Sequence, residues 1–300
     1  MITPRCAIKF LLLAIPLLAP FAAGGCAASS TATPFANRQL HAEVPFDPAN
    51  AVVIEGDSGD VKVRRVDGPA RVRADIRGKG SNRLAAVQVV MQTDRVGALS
   101  IRVDWPIGWR QPGEAAILEV DLPGCSALTV HTGNGGIDVA GLGGAAELSS
   151  GNGEIILADH AGDVQISTSN GFVQADRIDG ACRVRTSNGE VTINDVTARV
   201  AIATTNGSVD VRLSELNAGP VDIRTANGGV ELEIGDGFTG DLRLETFNGR
   251  VRVVGVSGEV EIDDEREWAI VRRGGSENRS LIRTTNGRVE VRRRSSVAAN

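Results

Sequence analysis

The sequence is poor in the residues that build most catalytic sites. Its 300 residues contain no Tyr, three His and four Cys, and aromatic residues make up 3% of the chain. The histidines, His41, His131 and His160, are far apart and form no metal-ligand cluster. His160 follows Asp159 in what the sequence indicates is a turn, where we expect a solvated side chain. We predict that the protein is not an enzyme and uses no metal or other cofactor.

The charge balance is mildly acidic. The formal net charge is −5, and 42% of the residues are hydrophobic. A negative chain has no overall attraction to nucleic acid. The apolar content is too high for a disordered chain. We therefore expect a folded body with no nucleic-acid partner.

The first 25 residues are typical of an export signal. Arg5 and Lys9 precede an apolar run over residues 10–23, which is too short for an ordinary membrane-spanning helix. The small residues that end in Cys26 resemble the lipobox of bacterial lipoproteins, with Ala23 where Leu is usual. The resemblance implies cleavage before Cys26 and lipidation of its thiol. The alternative is an ordinary secretory signal in which Cys26 has no role.

This interpretation divides the chain into five parts. Residues 1–25 are the signal peptide, and residues 26–50 are a lipidated tether because they are small, polar and irregular. Residues 51–127 form a lead-in or capping β region, residues 128–294 the β repeats and residues 295–300 a tail. We expect an exported, membrane-anchored lipoprotein at the outer membrane or cell surface. A position on the periplasmic side is the alternative.

The dominant pattern is a repeated Asn-Gly dipeptide. Neighbouring copies are 18 or 21 residues apart, except for one interval of 38 residues, which fits either an extra coil or a long loop. Thr or Ser stands two residues before each Asn, and apolar residues stand four before it and mostly three and five after it. Each unit is therefore predicted to be two short strands with one apolar face. The asparagines are Asn134, Asn152, Asn170, Asn188, Asn206, Asn227, Asn248 and Asn286.

Two all-β architectures fit these units. Asn-Gly between alternating apolar runs is a strong hairpin signal, which predicts an antiparallel meander or sandwich. The other is a parallel β-solenoid with coils of 18–21 residues, in which Asn-Gly forms a corner and like residues stack. Residue identity is kept column by column, and length varies only at the second turn, as stacked coils require. We therefore favour the solenoid.

The repeats also carry a family resemblance. The Thr-x-Asn-Gly-x-Val-x-Val units, with the lead-in Val-Val-Ile-Glu-Gly-Asp-Ser-Gly-Asp-Val-Lys-Val from residue 52, are similar to the bacterial putative-adhesin family of β-strand-repeat proteins. They resemble the head domain assigned to putative autotransporter adhesins. The resemblance covers about residues 50–293. It implies a β-solenoid and a binding or structural role.

The asparagine column is interpreted as structural. An Asn that points inward at a corner bonds to the backbone and to the Asn above and below it, and the following Gly accepts an unusual backbone conformation. We do not expect the column to hold a metal.

The remaining cysteines are predicted to be free thiols. In a parallel stack Cys125 and Cys182 lie three coils apart, about 14 Å at roughly 4.8 Å per coil. That separation exceeds disulfide reach. Cys182 occupies an apolar column, so we expect it to be buried.

Three tryptophans are candidate partner contacts. Trp105 and Trp109 lie in a turn-rich stretch, and Trp268 lies in the 38-residue interval. The alternative for the first two is packing against the lead-in strands.

The sequence as a whole favours a cell-envelope lipoprotein with a non-catalytic structural or adhesin-like binding role. Its partners would be the membrane, through the lipid anchor, and an envelope protein or polysaccharide. One alternative is an envelope sensor or assembly factor that binds another exported protein. Another is a carbohydrate-active enzyme built on a β-helix.

Overall fold

The computed structural model describes residues 35–106, 109–274 and 277–294. These residues form 25 strands and one short helix, α1 (Ser81–Ala85). The first strands are β1 (Phe35–Val44), β2 (Ala51–Ser58), β3 (Val61–Arg65), β4 (Ala70–Lys79), β5 (Gln88–Thr93), β6 (Leu99–Asp104) and β7 (Ala115–Leu122). The central strands are β8 (Ala127–Asn134), β9 (Ile137–Ala140), β10 (Ala145–Asn152), β11 (Ile155–Ala161), β12 (Val164–Asn170), β13 (Val173–Asp179), β14 (Cys182–Asn188), β15 (Val191–Val196), β16 (Val200–Ala203), β17 (Val209–Leu213), β18 (Val221–Asn227) and β19 (Val230–Ile234). The last strands are β20 (Gly240–Asn248), β21 (Val251–Val254), β22 (Glu259–Ile262), β23 (Trp268–Arg273), β24 (Arg279–Asn286) and β25 (Val289–Arg293).

The central strands build a parallel solenoid of two facing sheets. Each coil contributes one strand to each sheet, so that even-numbered strands β8 to β18 pair in one sheet and odd-numbered strands β9 to β19 pair in the other. We call these sheet B and sheet A. Neighbouring strands are in register, with Asn134 opposite Asn152 and Asn152 opposite Asn170. The parallel solenoid is confirmed, and the antiparallel meander and sandwich are wrong for the repeats.

The core lies between the two sheets, in the columns that the sequence pattern predicts. In sheet B the residues four before each Asn are buried, as Leu148, Ile166 and Val184 illustrate with no exposed surface. In sheet A the residues three after each Asn face them, such as Ile155 and Val173, which are also fully buried. Each such side chain contributes about 1.5–3 kcal/mol on burial. The stack is therefore held by continuous apolar rows.

The order of coils differs from the chain order at both ends of the stack. Near the N-terminal end, the coil of β2 and β3 lies between that of β8 and β9 and that of β6 and β7. Near the C-terminal end, β24 and β25 lie between the coil of β18 and β19 and the coil of β20 and β21. The expectation that successive segments always lie directly on one another is wrong at these two places. The 38-residue interval between Asn248 and Asn286 gives the chain the length to pass one coil and return.

Antiparallel strands cover the two ends. In sheet A, β7 is followed by β4 and β1, and in sheet B, β6 is followed by β5. At the other end β23 pairs antiparallel with β20, and β22 pairs with β23. The 38-residue interval is thus neither one extra coil nor one free loop. It completes a coil with β21 and then adds two antiparallel strands to sheet B.

The predicted tether extends too far along the chain. Residues 35–44 form β1, which pairs with β4 over ten residues from Phe35 opposite Lys79 to Val44 opposite Ala70. Leu40 in its centre is buried, so this segment gains enough from pairing and packing to be ordered. The predicted signal peptide, Cys26 and the tail at residues 295–300 lie outside the described residues. Within the described part, no helix has the length and apolar character to cross a bilayer.

Candidate functional site

One edge of the solenoid carries a continuous ladder of side-chain amides. In seven of the eight asparagines the amide nitrogen donates to the side-chain oxygen of the Asn in the neighbouring coil, over 2.7–2.9 Å, and Asn134 at the end of the row only accepts. The expected bonds between asparagines are therefore present. The expected inward orientation is wrong, because all eight asparagines are exposed. Counting every second residue, Asn falls on the same side of the strand as the buried residues two and four before it. The chain turns at the corner, however, and the turn carries Asn out of the core. In stacking order, the ladder consists of Asn134, Asn152, Asn170, Asn188, Asn206, Asn227, Asn286 and Asn248.

The glycine after each Asn leaves room for backbone stacking. A Cβ added to Gly228 would lie 2.0 Å from the carbonyl oxygen of Gly207 in the neighbouring coil. No side chain fits at that distance. Beneath the corner, several buried hydroxyls of the Thr column donate to glycine carbonyls, as Thr284 does to Gly228 over 2.9 Å. The hydroxyls of Thr186 and Thr204 have no such partner. The bonds between asparagines and the close stacking of the glycines hold the corner together, which supports a structural role for the Asn column.

The two described cysteines are free and buried. Burial raises the pKa of the Cys125 thiol to about 11 and that of Cys182 to about 12. A thiol with so high a pKa carries almost no thiolate at neutral pH. The free thiols are as predicted, and they supply no nucleophile.

His160 is buried, contrary to the expectation of a solvated turn residue. It lies within β11, with 2% of its surface exposed. One ring nitrogen, Nε2, lies 2.8 Å from the carbonyl oxygen of Gly144. Burial lowers the pKa of His160, and the bond to Gly144 opposes that shift in part. Asp159 before it takes a left-handed backbone conformation with φ of 53°, which turns the following side chain into the core.

The three candidate tryptophans differ in how much of each side chain is exposed. Trp105 is 6% exposed and belongs to the core, so it is wrong as a partner contact. Trp109 is 62% exposed. Trp268 is partly exposed on β23, at the C-terminal end of sheet B. Only Trp109 and Trp268 remain candidates for contact.

Trp268 lines a cleft on the outer face of sheet B with Phe247, a residue that the sequence analysis missed. We call it the aromatic cleft, and its volume is about 590 Å³. Phe247 is 75% exposed. It stands directly before Asn248, where the other coils have the small residues Gly133, Gly151, Ser169, Ser187, Thr205, Ala226 and Thr285. This departure from the column was the signal in the sequence. The cleft is lined chiefly by Arg243, Glu245, Phe247, Glu267, Trp268 and Arg283.

Backbone pairing fixes the walls of the cleft. Trp268 is opposite Glu245 in the antiparallel pair of β23 and β20, and Glu245 is opposite Arg283 in the parallel pair of β20 and β24. The backbone N–H of Trp268 donates to Asp263 Oδ1 over 2.9 Å. The cleft is thus built on three hydrogen-bonded strands.

Charges at the cleft are paired with one another. Glu245 accepts hydrogen bonds from Arg243 and, over 2.6 Å, from Arg283. Partial burial of Glu245 acts to raise the pKa of its carboxyl, but the bonds to Arg283 and Arg243 outweigh it and the pKa is lowered. The carboxylate therefore stays ionised at neutral pH and balances the two guanidinium groups in part, with Glu267 adding a second negative charge.

The described residues contain no group of three or more His, Cys, Asp or Glu side chains arranged to hold a metal ion. The histidines fall on three separate strands, β1, β8 and β11. What the surface offers is a rigid sheet face with an aromatic cleft at one end.

These features define a two-sheet parallel β-solenoid with a corner ladder of amides, a class of all-β repeat protein. The chain belongs to the Toastrack DUF4097 family, which it matches over residues 28–292. The family resemblance seen in the repeats is confirmed.

Several solved structures match most of the chain at low identity. A putative adhesin from Bacteroides fragilis has 11% identity and a TM-score of 0.47, over 85% of this chain and 97% of that one. A putative adhesin from Parabacteroides distasonis has 11% identity and a TM-score of 0.37, over 86% and 97%. A putative lipid binding protein from Parabacteroides distasonis has 12% identity and a TM-score of 0.39, also over 86% and 97%. No curated protein matches the chain.

Proposed function

We propose that the protein is a lipid-anchored rod of the cell envelope with a non-catalytic, adhesin-like binding role. In this proposal Cys26 carries the lipid, the solenoid acts as a stiff spacer and the end remote from the anchor contacts the partner. The partner is an envelope polysaccharide or protein.

The observation that carries the proposal is the position of the two ends. Strand β1 is the outermost strand of sheet A at one end of the stack, and β22 is the outermost strand of sheet B at the other end. Sheet B has 13 strands, from β22 to β5 at the same end of the stack as β1, so at about 4.8 Å between strands its two edges are roughly 58 Å apart. The aromatic cleft lies at the end remote from β1.

The segment before β1 fits the role of a short anchor. Residues 27–34 separate Cys26 from Phe35, and a fully extended chain of that length spans at most about 30 Å. A lipid on Cys26 would therefore keep the β1 end near the bilayer and leave the aromatic cleft directed away from it. Several acyl chains on one residue hold a protein stably, at about 0.8 kcal/mol for each buried methylene.

The test is to express the full chain and a Cys26→Ser variant in a bacterium and to follow both through membrane flotation. We expect the parent chain to float with membranes and its N-terminal peptide to carry acyl groups on Cys26. We expect the variant to lack the acyl groups and to leave the membrane fraction. Cys125→Ser is the matched control, because Cys125 is buried in the folded body, and it should float like the parent chain. An unmodified Cys26 in the mature chain, or equal flotation of parent and Cys26→Ser, would contradict the anchor.

A further inference from the structure

We propose that the aromatic cleft binds a neutral oligosaccharide, such as a segment of an uncharged envelope polysaccharide. This inference deepens the proposed binding role and rests on it. It uses the two rings of Phe247 and Trp268 together with the paired charges around them.

Phe247 is placed where the fold gains nothing from it. Seven other coils hold a small residue at the same position, so stacking of the coils does not require a ring there. The side chain is 75% exposed, although burial of a Phe side chain would stabilise the fold. It sits on β20 next to the hydrogen-bonded ladder position Asn248, so it is presented on a rigid strand. An exposed ring on a fixed backbone is a surface for a ligand.

Trp268 supplies a second ring at the same cleft. It begins β23, and its backbone is held both by pairing with Glu245 and by the bond to Asp263. Phe247 and Trp268 account for two of the ten aromatic residues in the whole chain. A pyranose ring has one apolar face of C–H groups, and an aromatic ring offers a complementary flat apolar surface with low loss of side-chain entropy.

The polar rim suits hydroxyl groups. Arg243 and Arg283 provide N–H donors, and Glu245 and Glu267 provide acceptors. Two guanidinium groups and two carboxylates leave no excess charge of either sign. A polyanion or polycation would find no net attraction at such a rim, whereas sugar hydroxyls both donate and accept.

A flat protein partner fits the cleft less well. Covering the ion pairs of Glu245 with an apolar protein surface would remove water from charged groups without replacing its hydrogen bonds, which opposes binding. Hydroxyl groups replace those hydrogen bonds. The volume of about 590 Å³ lies within the range of roughly 300–1,000 Å³ that is typical of small-molecule sites.

The experiment is calorimetric titration of the full chain, kept in a polyoxyethylene detergent that contains no sugar. The probes are cellohexaose, maltohexaose and chitohexaose, with polygalacturonate as the anionic comparison. We expect at least one neutral hexasaccharide to bind, and Trp268 fluorescence to change on binding. We expect Phe247→Ala and Trp268→Ala each to weaken that binding at least tenfold and Phe247→Trp to retain it.

Controls separate binding from folding. Phe172→Ala removes an exposed ring that does not line the aromatic cleft, and it should bind like the parent chain. Phe247→Ala removes a side chain that is mostly in water, so its thermal unfolding should match that of the parent chain. The proposal is overturned if none of the neutral hexasaccharides binds, if only polygalacturonate binds, or if Phe247→Ala and Phe172→Ala bind equally. Those results leave flotation through Cys26 unaffected, so the two proposals fail separately.

Discussion

The side-chain amide of Asn170 donates to the side-chain oxygen of Asn152 over 2.8 Å, and its own oxygen accepts from Asn188 over 2.9 Å. One residue thus links three successive coils from outside the core. Because every Asn in the row bonds in the same direction, the ladder acts as a continuous clamp along one corner of the rod.

Breaking the ladder in its middle should cost more than breaking it at its end. We expect Asn170→Ala to lower the free energy of unfolding by about 1–2 kcal/mol, since it removes two exposed bonds that each contribute about 0.5–1.5 kcal/mol. Asn134→Ala is the matched control because Asn134 makes only one ladder bond. Its loss should be about half as large in urea unfolding. Equal, negligible losses in both variants would contradict a stabilising ladder.

The glycine that follows each Asn is predicted to be intolerant of any side chain. Gly228→Ala would place a Cβ 2.0 Å from the carbonyl oxygen of Gly207, whereas Gly229→Ala would place one 3.5 Å from the nearest heavy atom, the carbonyl oxygen of Arg288. We expect the first change to destabilise by about 2–4 kcal/mol, because backbone must move to relieve the overlap. The second should cost about 1 kcal/mol or less. The measurement is thermal unfolding of the Gly228→Ala and Gly229→Ala variants. Similar melting temperatures for the two would refute close backbone stacking at the corner.

The columns of the sequence were enough to predict the centre of the fold, because stacked parallel coils place like residues on like. They did not predict the order of coils at the ends. The coil that ends in Asn286 carries the same Thr, Asn and Gly as the others, so its residues fit beside either neighbour. The repeated columns did not predict Phe247 as a cleft residue, because they describe what the coils share. Phe247 is the one residue at its position in the coils that is not small. Strand β1 was not predicted because only one of its residues, Leu40, is buried, so its apolar pattern is weak. Hydrogen bonding to β4 provides the remaining stabilisation of the strand.

Stability should fall in mild acid through His160. Because burial lowers its pKa in the folded state, the unfolded chain binds the proton more readily, with an ordinary pKa of about 6.5. Stability that is present above that pH is lost as the pH falls below it toward the folded-state pKa. We expect unfolding free energies measured between pH 7.5 and pH 5 to decline more steeply for the parent chain than for His160→Gln. His131→Gln changes an exposed histidine and should leave the decline as it is. A decline that His160→Gln leaves unchanged would contradict this assignment.

The two buried thiols should resist alkylation in the folded protein. With pKa values of about 11 for Cys125 and about 12 for Cys182, both lack thiolate at pH 8 and both are shielded from reagent. We expect peptide mapping after iodoacetamide treatment to find neither residue modified until denaturant is added, when both react. Recovery of a Cys125–Cys182 disulfide from the folded chain would be incompatible with coils stacked at about 4.8 Å.

The order of coils at the C-terminal end decides whether the aromatic cleft exists. Strand β23, which carries Trp268, can pair with β20 only because β24 lies between β18 and β20 and leaves the other edge of β20 free. Outward-facing Arg283 lies opposite Arg224 on one side and opposite Glu245 on the other. Neighbouring strands are within disulfide reach, and strands two apart are not. The most direct measurement is oxidative cross-linking of paired cysteines in a chain with Cys125→Ser and Cys182→Ala. The interleaved order predicts that Arg224→Cys with Arg283→Cys forms a disulfide and that Arg224→Cys with Glu245→Cys does not. The reverse outcome would show coils stacked in chain order and would contradict the account.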